Sequence, residues 1–187
     1  MSAAGDGGLL DRFAARLDVS IRHCREADLP LLEWFGAFTQ HRQIFREAFD
    51  LQRQGNALML VAVVRDFPVG QAWLDFRPKR GFEAPVVWAV RVLEPLQGAG
   101  VGRGLLSALV AIARRRGHDR LQLGVGKENA AARLFYQRLG WRITGELQES
   151  FSYTTPEGEA VTHALDDWIM TKDLRLHQEG GSSPTLA

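Results

Sequence analysis

The run Leu96-Gln97-Gly98-Ala99-Gly100-Val101-Gly102-Arg103-Gly104 sets four glycines at alternate positions between a strand-like segment, Val86 to Leu93, and a helix-periodic one, Leu105 to Arg116. Glycine has no Cβ, so the chain can turn tightly there and present successive backbone N–H groups to a ligand. The first N–H groups of the following helix have no intrahelical acceptor and stand at the positive end of its dipole. That chemistry suits a phosphate or pyrophosphate, and so a phosphorylated cofactor. A dinucleotide fingerprint, G-x-G-x-x-G or a terminal Ala, is excluded: counted from Gly98, Gly100 or Gly102, the last position is Arg103, Leu105 or Ser107. A Walker-type loop is excluded as well, because Glu128 follows Gly126-Lys127 where a hydroxyl belongs and Leu121 stands at the first glycine position. The spacing that fits is Q-x-x-G-x-G, with Gln97, Gly100 and Gly102.

Downstream, Leu121-Gln122-Leu123-Gly124-Val125 alternates as a short strand, and Asn129 is a good N-cap for a helix over 130–139. Gly140 stands where a left-handed C-terminal residue is wanted. Ala131, Phe135 and Leu139 recur at helical spacing as a core stripe, while Ala132 and Tyr136 share a neighbouring face one turn apart. Trp141-Arg142-Ile143 then opens another strand. In order and separation, Gln97-x-x-Gly100-x-Gly102 followed by Asn129-x-x-Ala132-x-x-x-Tyr136-x-x-x-Gly140-Trp141 resembles the GNAT superfamily of acyl-CoA-dependent N-acyltransferases. The segment Asp167 to Leu174 is similar to that family's closing strand, and the resemblance spans roughly residues 19 to 175. Trp141 is a small departure, since Phe is commoner there.

The resemblance implies a mixed α/β fold: a central, mostly antiparallel sheet splayed between strands 4 and 5 and flanked by about four helices. It implies acetyl-CoA as cosubstrate, with pantetheine in the split and pyrophosphate on the backbone of Gly98, Ala99, Gly100, Val101, Gly102 and Arg103. Gln97 carries the family's polar position at the start of that loop. Asn129 and Ala132 belong to the cofactor-binding pattern, and Arg138 is a candidate partner for another phosphate or a solvated helix residue. Amine attack on a thioester needs a neutral amine, a donor to the carbonyl oxygen and a proton for the departing thiolate. The family expectation for the donor is a strand-four N–H near Val92 or Leu93. For the proton it is Tyr136, whose phenol, with an unperturbed pKa of about 10, is protonated at neutral pH.

The general base stays open among Asp75, Glu83 and Glu94, each also readable as a surface carboxylate. The need for one depends on the acceptor. Neutralising a lysine-like amine near pH 7 costs roughly 4–5 kcal/mol, an α-amine only about 1–1.5. The acceptor is read as a small-molecule primary amine. A protein N-terminus or lysine, and a non-catalytic acyl-CoA-binding module, are the alternatives, the last opposed by Tyr136. Aromatic residues Trp34, Phe35, Phe38, Trp73 and Trp88 can line an acceptor pocket or fill the core. Family experience puts acceptor selection in residues 28–53 and 149–163.

These residues must be positioned by strands near 19–23, 57–66, 69–77, 85–93, 120–125, 141–146 and 165–172, and by helices near 28–39, 42–53, 101–116 and 130–139. Phe67-Pro68 marks the turn between the second and third strands. Residues 149–163 read as either a hairpin or a loop over the site. Residues 19–175 form a single domain, 1–18 an N-terminal extension with a disordered start, and 176–187 a disordered tail. With 187 residues and a net charge of +1, the chain suits one core and no nucleic acid; Arg114-Arg115-Arg116 complements a helix dipole. The single cysteine, Cys24, excludes an internal disulfide, and no spacing suggests a metal. No signal or membrane segment is visible, so a cytoplasmic protein is expected. A homodimer is common in the family and is left open.

Overall fold

Two apolar runs build the centre of the sheet. In β2 (Ala57–Val64) and β3 (Phe67–Asp75) nearly every residue is buried, on both faces. Strands of that kind need cover on each side, and alternate residues of β2 feed two separate cores. Leu58, Leu60 and Ala62 pack with α2 (Val101–Arg115), while Met59, Val61 and Val63 pack with Phe45 and Ala48 of α1 (Arg42–Arg53). The computed structural model describes residues 16–156 and 158–175. The N-terminal extension expected over 1–18 and the disordered tail expected over 176–187 fall outside these, apart from residues 16–18.

Seven strands form one sheet in the order β1-β2-β3-β4-β5-β7-β6, with β1 (Ser20–His23) at one edge and β6 (Arg142–Thr154) at the other. All pairings are antiparallel except that of β4 (Val86–Val92) with β5 (Arg120–Gly126). The expected mixed, mostly antiparallel sheet is therefore present, with helices on both faces. α3 (Ala130–Arg138) follows β5, and β7 (Ala160–Asp173) closes the sheet between β5 and β6.

α2 is amphipathic because Val101, Leu105, Leu109 and Ala113 recur every fourth position, joined by Leu106 and Val110; all six are buried. Leu105 and Leu109 are fully enclosed, each worth about 1.5–3 kcal/mol of burial.

Two readings need correction. The turn between β2 and β3 is Arg65-Asp66, both at positive φ (47° and 64°), a two-residue hairpin loop; Phe67 and Pro68 already pair with Val64 and Val63. The segment read as a helix over 28–39 is a 3-10 helix at Glu26–Glu33 and another short turn at Thr39–His41. Pro30 removes a donor inside it, and Trp34 and Phe35 stop it in the left-handed region at φ 41° and 58°. Of the two alternatives left open for residues 149–163, the hairpin is the one observed: β6 and β7 pair without a break from Gly145↔Ile169 to Thr154↔Ala160.

Among the described residues no helix is long and apolar enough to cross a membrane, and no group of three or more potential ligands is placed to hold a metal ion. Cys24 is buried, and burial, with Asp28 nearby, pushes its thiol up to about 12, so it is no nucleophile.

Candidate active site

The β4 strand delivers the chain to the glycine turn. Leu93 donates its N–H to the Val69 carbonyl of β3 at 2.9 Å. Backbone groups alternate sides along a strand, so the Val92 N–H and C=O face away from β3, toward β5. The Gln97 side chain accordingly reaches back and donates to the Val92 carbonyl at 3.1 Å. Of the two expected donors, the Val92 N–H is the one turned toward the split, and Leu93 is committed elsewhere. A short turn, Glu94–Leu96, leads into the loop.

The loop's glycines answer to two different constraints. Gly98 and Gly100 sit at φ 78° and 88°, with open space where a Cβ would stand. Backbone conformation, not crowding, selects glycine there, and the space above is free for a ligand. Gly102 has helical φ, and a Cβ on it would lie 3.3 Å from the Phe135 ring of α3, so its role is helix packing. Gly100 is the N-cap of α2, leaving the Val101, Gly102 and Arg103 N–H groups without intrahelical acceptors. Gln97, Gly98, Ala99, Gly100 and Arg103 are exposed, as are Asn129 and Arg138.

Beyond this loop β4 and β5 diverge. Their ladder consists of one register pair, Val86↔Gln122, beside a bond from Gln122 N–H to the Pro85 carbonyl. Gln122 is buried and pins the closed end of the split. Its Oε1 accepts from the Glu83 and Ala84 N–H groups at 2.7 and 3.1 Å, and its Nε2 donates to Thr171 Oγ1 at 3.1 Å. On the other side β4 carries an extra residue: Trp73↔Trp88 is followed by Gln71↔Arg91, with Ala89 at φ 50°. Such a bulge bends the strand away and re-aims its groups.

The split holds a cavity of about 640 Å³, lined by Val86 to Val90 of β4, Gly124 to Gly126 of β5, Asn129, Ala132, Tyr136 and Asp167. Asn129 caps α3, its Oδ1 accepting from the Ala132 N–H at 3.0 Å. Tyr136 is buried between Phe135 and Trp141, ring centroids 5.3 and 6.1 Å away, and burial pushes its phenol up to about 12. Asp167 enters from the opposite face. Leu121, Leu123 and Val125 point into the core under α2 and α3, so Gly124 and Gly126 face the α1 side, where Asp167 lies against Gly124. Burial, with Glu128 and Asp166 beside it, raises the Asp167 pKa above the ordinary carboxylate value.

A second cavity of about 560 Å³ lies on the α1 side, under the hairpin tip; it shares Lys79, Trp88 and Ala89 with the first. α1 with His41, β3 with Trp73 and Asp75, β4 with Trp88 and Arg91, and Ser152 to Thr154 form its walls. The two regions expected to select the acceptor thus meet here.

The three carboxylates singled out as bases are distributed differently. Asp75 is fully buried and takes bonds from Arg77 Nε and Nη2 (3.1 and 2.8 Å), the Arg77 N–H (3.0 Å) and Lys79 Nζ (3.2 Å). Burial acts to raise its pKa, but Arg77 and Lys79 outweigh it and hold the carboxyl below the usual range. Glu83 is exposed and pairs with Arg120 at 3.4 Å. Glu94 is exposed on the turn after β4. None of the three lines the split cavity; Asp167 does. Gln122, the Ala89 bulge, Arg91 and Asp167 were not singled out from sequence. Gln122 had one visible signal, a polar residue between two leucines.

A parallel pair of strands parted beside a glycine turn, with a buried phenol in the gap, defines an acyl-CoA-dependent acyltransferase. Residues 25–141 match the acetyltransferase (GNAT) family, and the chain belongs to that family. It is 30% identical over 147 residues, 71% of this chain and 86% of the relative, to an L-methionine sulfoximine/L-methionine sulfone acetyltransferase of Pseudomonas aeruginosa. Among solved structures, the ribosomal-protein-alanine N-acetyltransferase of Brucella melitensis is similar at TM-score 0.64 and 27% identity, covering 82% of this chain and 99% of that one. YncA of Salmonella typhimurium, solved with acetyl-CoA, shares the fold at TM-score 0.65 and 23% identity, over 89% of this chain and 99% of that one. The chain is an acyl-CoA N-acyltransferase.

Proposed function

We propose that this enzyme transfers the acetyl group of acetyl-CoA to the primary amine of a small molecule by direct attack. One observation carries the reading: Tyr136 and Asp167 reach a single cavity from opposite faces of the parted sheet. The backbone of Gly98 to Arg103 binds the pyrophosphate, Arg138 lies within the last turn of α3 for a further phosphate, and the Val92 N–H donates on the split side of β4. Asp167 accepts the amine's proton from the α1 side. The amine nitrogen bonds to the acyl carbon as the carbon–sulfur bond breaks, and Tyr136 gives its proton to the sulfur. A phenol at about 12 is a weak acid for a thiol of about 8.5, but the desolvation that raises the phenol raises the thiol sharing its cavity too.

The relative named for methionine sulfoximine supports a small acceptor. So does the second cavity, about 560 Å³ with Ser152 to Thr154 as one of its walls, a size that suits a small acceptor. The likeness to a ribosomal-protein-alanine acetyltransferase keeps a protein α-amine as the second reading. The test is CoA thiol release with small amines against peptides of free N-terminus. Turnover of small amines is expected; turnover of peptides alone would replace the reading by the second. Failure of acetyl-CoA to stabilise the protein would remove both.

A further inference from the structure

The second cavity has an excess of donors over acceptors. Arg91, on β4 two residues past the bulge, lines it with its guanidinium stacked on the Phe38 ring, 4.4 Å from the centroid. Among the described residues no carboxylate pairs with Arg91, and burial lowers its pKa with no charge partner opposing. The two carboxylates of the wall are turned to other partners: Asp75 to Arg77 and Lys79, and Glu47, exposed on α1, to the Gln43 amide at 3.0 Å. Around Arg91 the buried Nε1–H groups of Trp73 and Trp88 have no acceptor, nor has His41 Nδ1 a partner. His41 is pushed below its ordinary value by burial, then by Arg91 and His163, so it adds no charge near pH 7. An unpaired guanidinium in a partly desolvated cavity is costly unless something anionic completes it.

We infer that Arg91 is the receptor for a carboxylate on the acceptor, so that the substrates are amines bearing a carboxylate, of the amino-acid type. One planar fork matches one planar monoanion, whereas a phosphate dianion would call for a second free cation. Because this cavity meets the split at Trp88 and Ala89, a molecule held by its carboxylate at Arg91 can extend its amine toward Asp167. The inference rests on the acetyl-transfer reading and names its substrate class.

The experiment measures CoA release with a panel of free L-amino acids and L-methionine sulfone, each beside its carboxamide and its decarboxylated amine. Wild type is expected to favour the acid on the order of a hundredfold in kcat/KM, the scale of a charge-assisted pair. Arg91→Gln loses that preference through KM, the acid falling to the level of the decarboxylated amine in the same variant; Arg91→Lys, with charge but no fork, falls between. Equal use of acid and decarboxylated amine by wild type, or a preference surviving in Arg91→Gln, overturns the assignment. A second arm needs no turnover: with CoA present, N-acetyl-L-amino acids of the same panel raise Tm in wild type and not in Arg91→Gln. If wild type turns over no amine, the transfer reading fails while this arm still decides the subsite, and no rise in wild type overturns it.

Discussion

The carboxylate of Asp167 lies over Gly124, its Oδ2 2.6 Å from the point a Cβ on that glycine would occupy. Glycine at this point of β5 is therefore what lets a carboxylate from β7 reach the split. The raised pKa of Asp167 means that the fold disfavours its ionised form. Such a group detracts from stability above its folded pKa, and the deficit shrinks as pH falls below that value and is gone below the unfolded one. Asp167→Asn is therefore expected to leave Tm at pH 7 unchanged or higher, while kcat/KM drops by about 10²-fold or more, the scale of a positioned base. Gly124→Ala, which only pushes the carboxylate aside, should reproduce most of that loss without unfolding the protein. Scanning calorimetry beside steady-state kinetics checks both; a lower Tm with full activity would mark Asp167 as structural.

Tyr136 makes a separate prediction because its phenol stays protonated until about pH 12. Tyr136→Phe keeps the ring packing on Phe135 and Trp141 and removes the proton. Stabilisation by acetyl-CoA should be retained while kcat falls about 10²-fold. In wild type, kcat should show no alkaline decline due to Tyr136 below about pH 11. A descending limb near pH 9 that vanishes in Tyr136→Phe would contradict the shifted phenol.

The glycine loop can be tested with strain and bulk separated. At φ 88° any side chain at Gly100 is strained, by about 1–2 kcal/mol. Gly100→Ala carries that strain with nothing near its Cβ; Gly100→Trp adds bulk over the ligand space. With acetyl-CoA at about 100 times Kd, wild type should gain about 2.7 kcal/mol. Gly100→Ala should keep most of the gain from a lower baseline, and Gly100→Trp should show none.

What could be read in the sequence was what local chemistry writes locally. Positive φ at Gly98, Gly100 and Gly140 and the Asn129 cap are decided within a few residues, and they appear in the fold where the spacing puts them. The hairpin at 149–163 was illegible because its strands expose most residues on both faces and show no clean alternation. The first helical segment misled because Asp28 and Pro30 signal a helix start, while the left-handed Trp34 that ends it is held from afar by its indole's bond to the Pro68 carbonyl at 2.9 Å. Arg91 and Asp167 depend on cross-strand register, Arg91 on the extra residue at Ala89 and Asp167 on pairing with Gly126. Neither register is written near the residue it positions.

Asp75 is the mirror image of Asp167 and provides the last test. Its pKa is depressed rather than raised, because Arg77 and Lys79 favour the ionised form more than burial opposes it. Such a group contributes stability that is fully present above the unfolded carboxylate value of about 3.9 and is lost as pH falls through the lower folded value. Asp75→Asn should therefore cost about 1–3 kcal/mol near pH 7, less than breaking a wholly buried pair, because Arg77 and Lys79 reach solvent and can rehydrate. Each kcal/mol corresponds to about 2–4 °C in Tm at this chain length. The deficit should begin to shrink as pH drops below about 4, where Asp75 of the unfolded chain takes up its proton, and disappear once pH has fallen through the lower folded value. In the kinetics, the ascending limb of kcat/KM should keep its position in Asp75→Asn and be lost in Asp167→Asn. A limb that moves with Asp75 and not with Asp167 would exchange their roles.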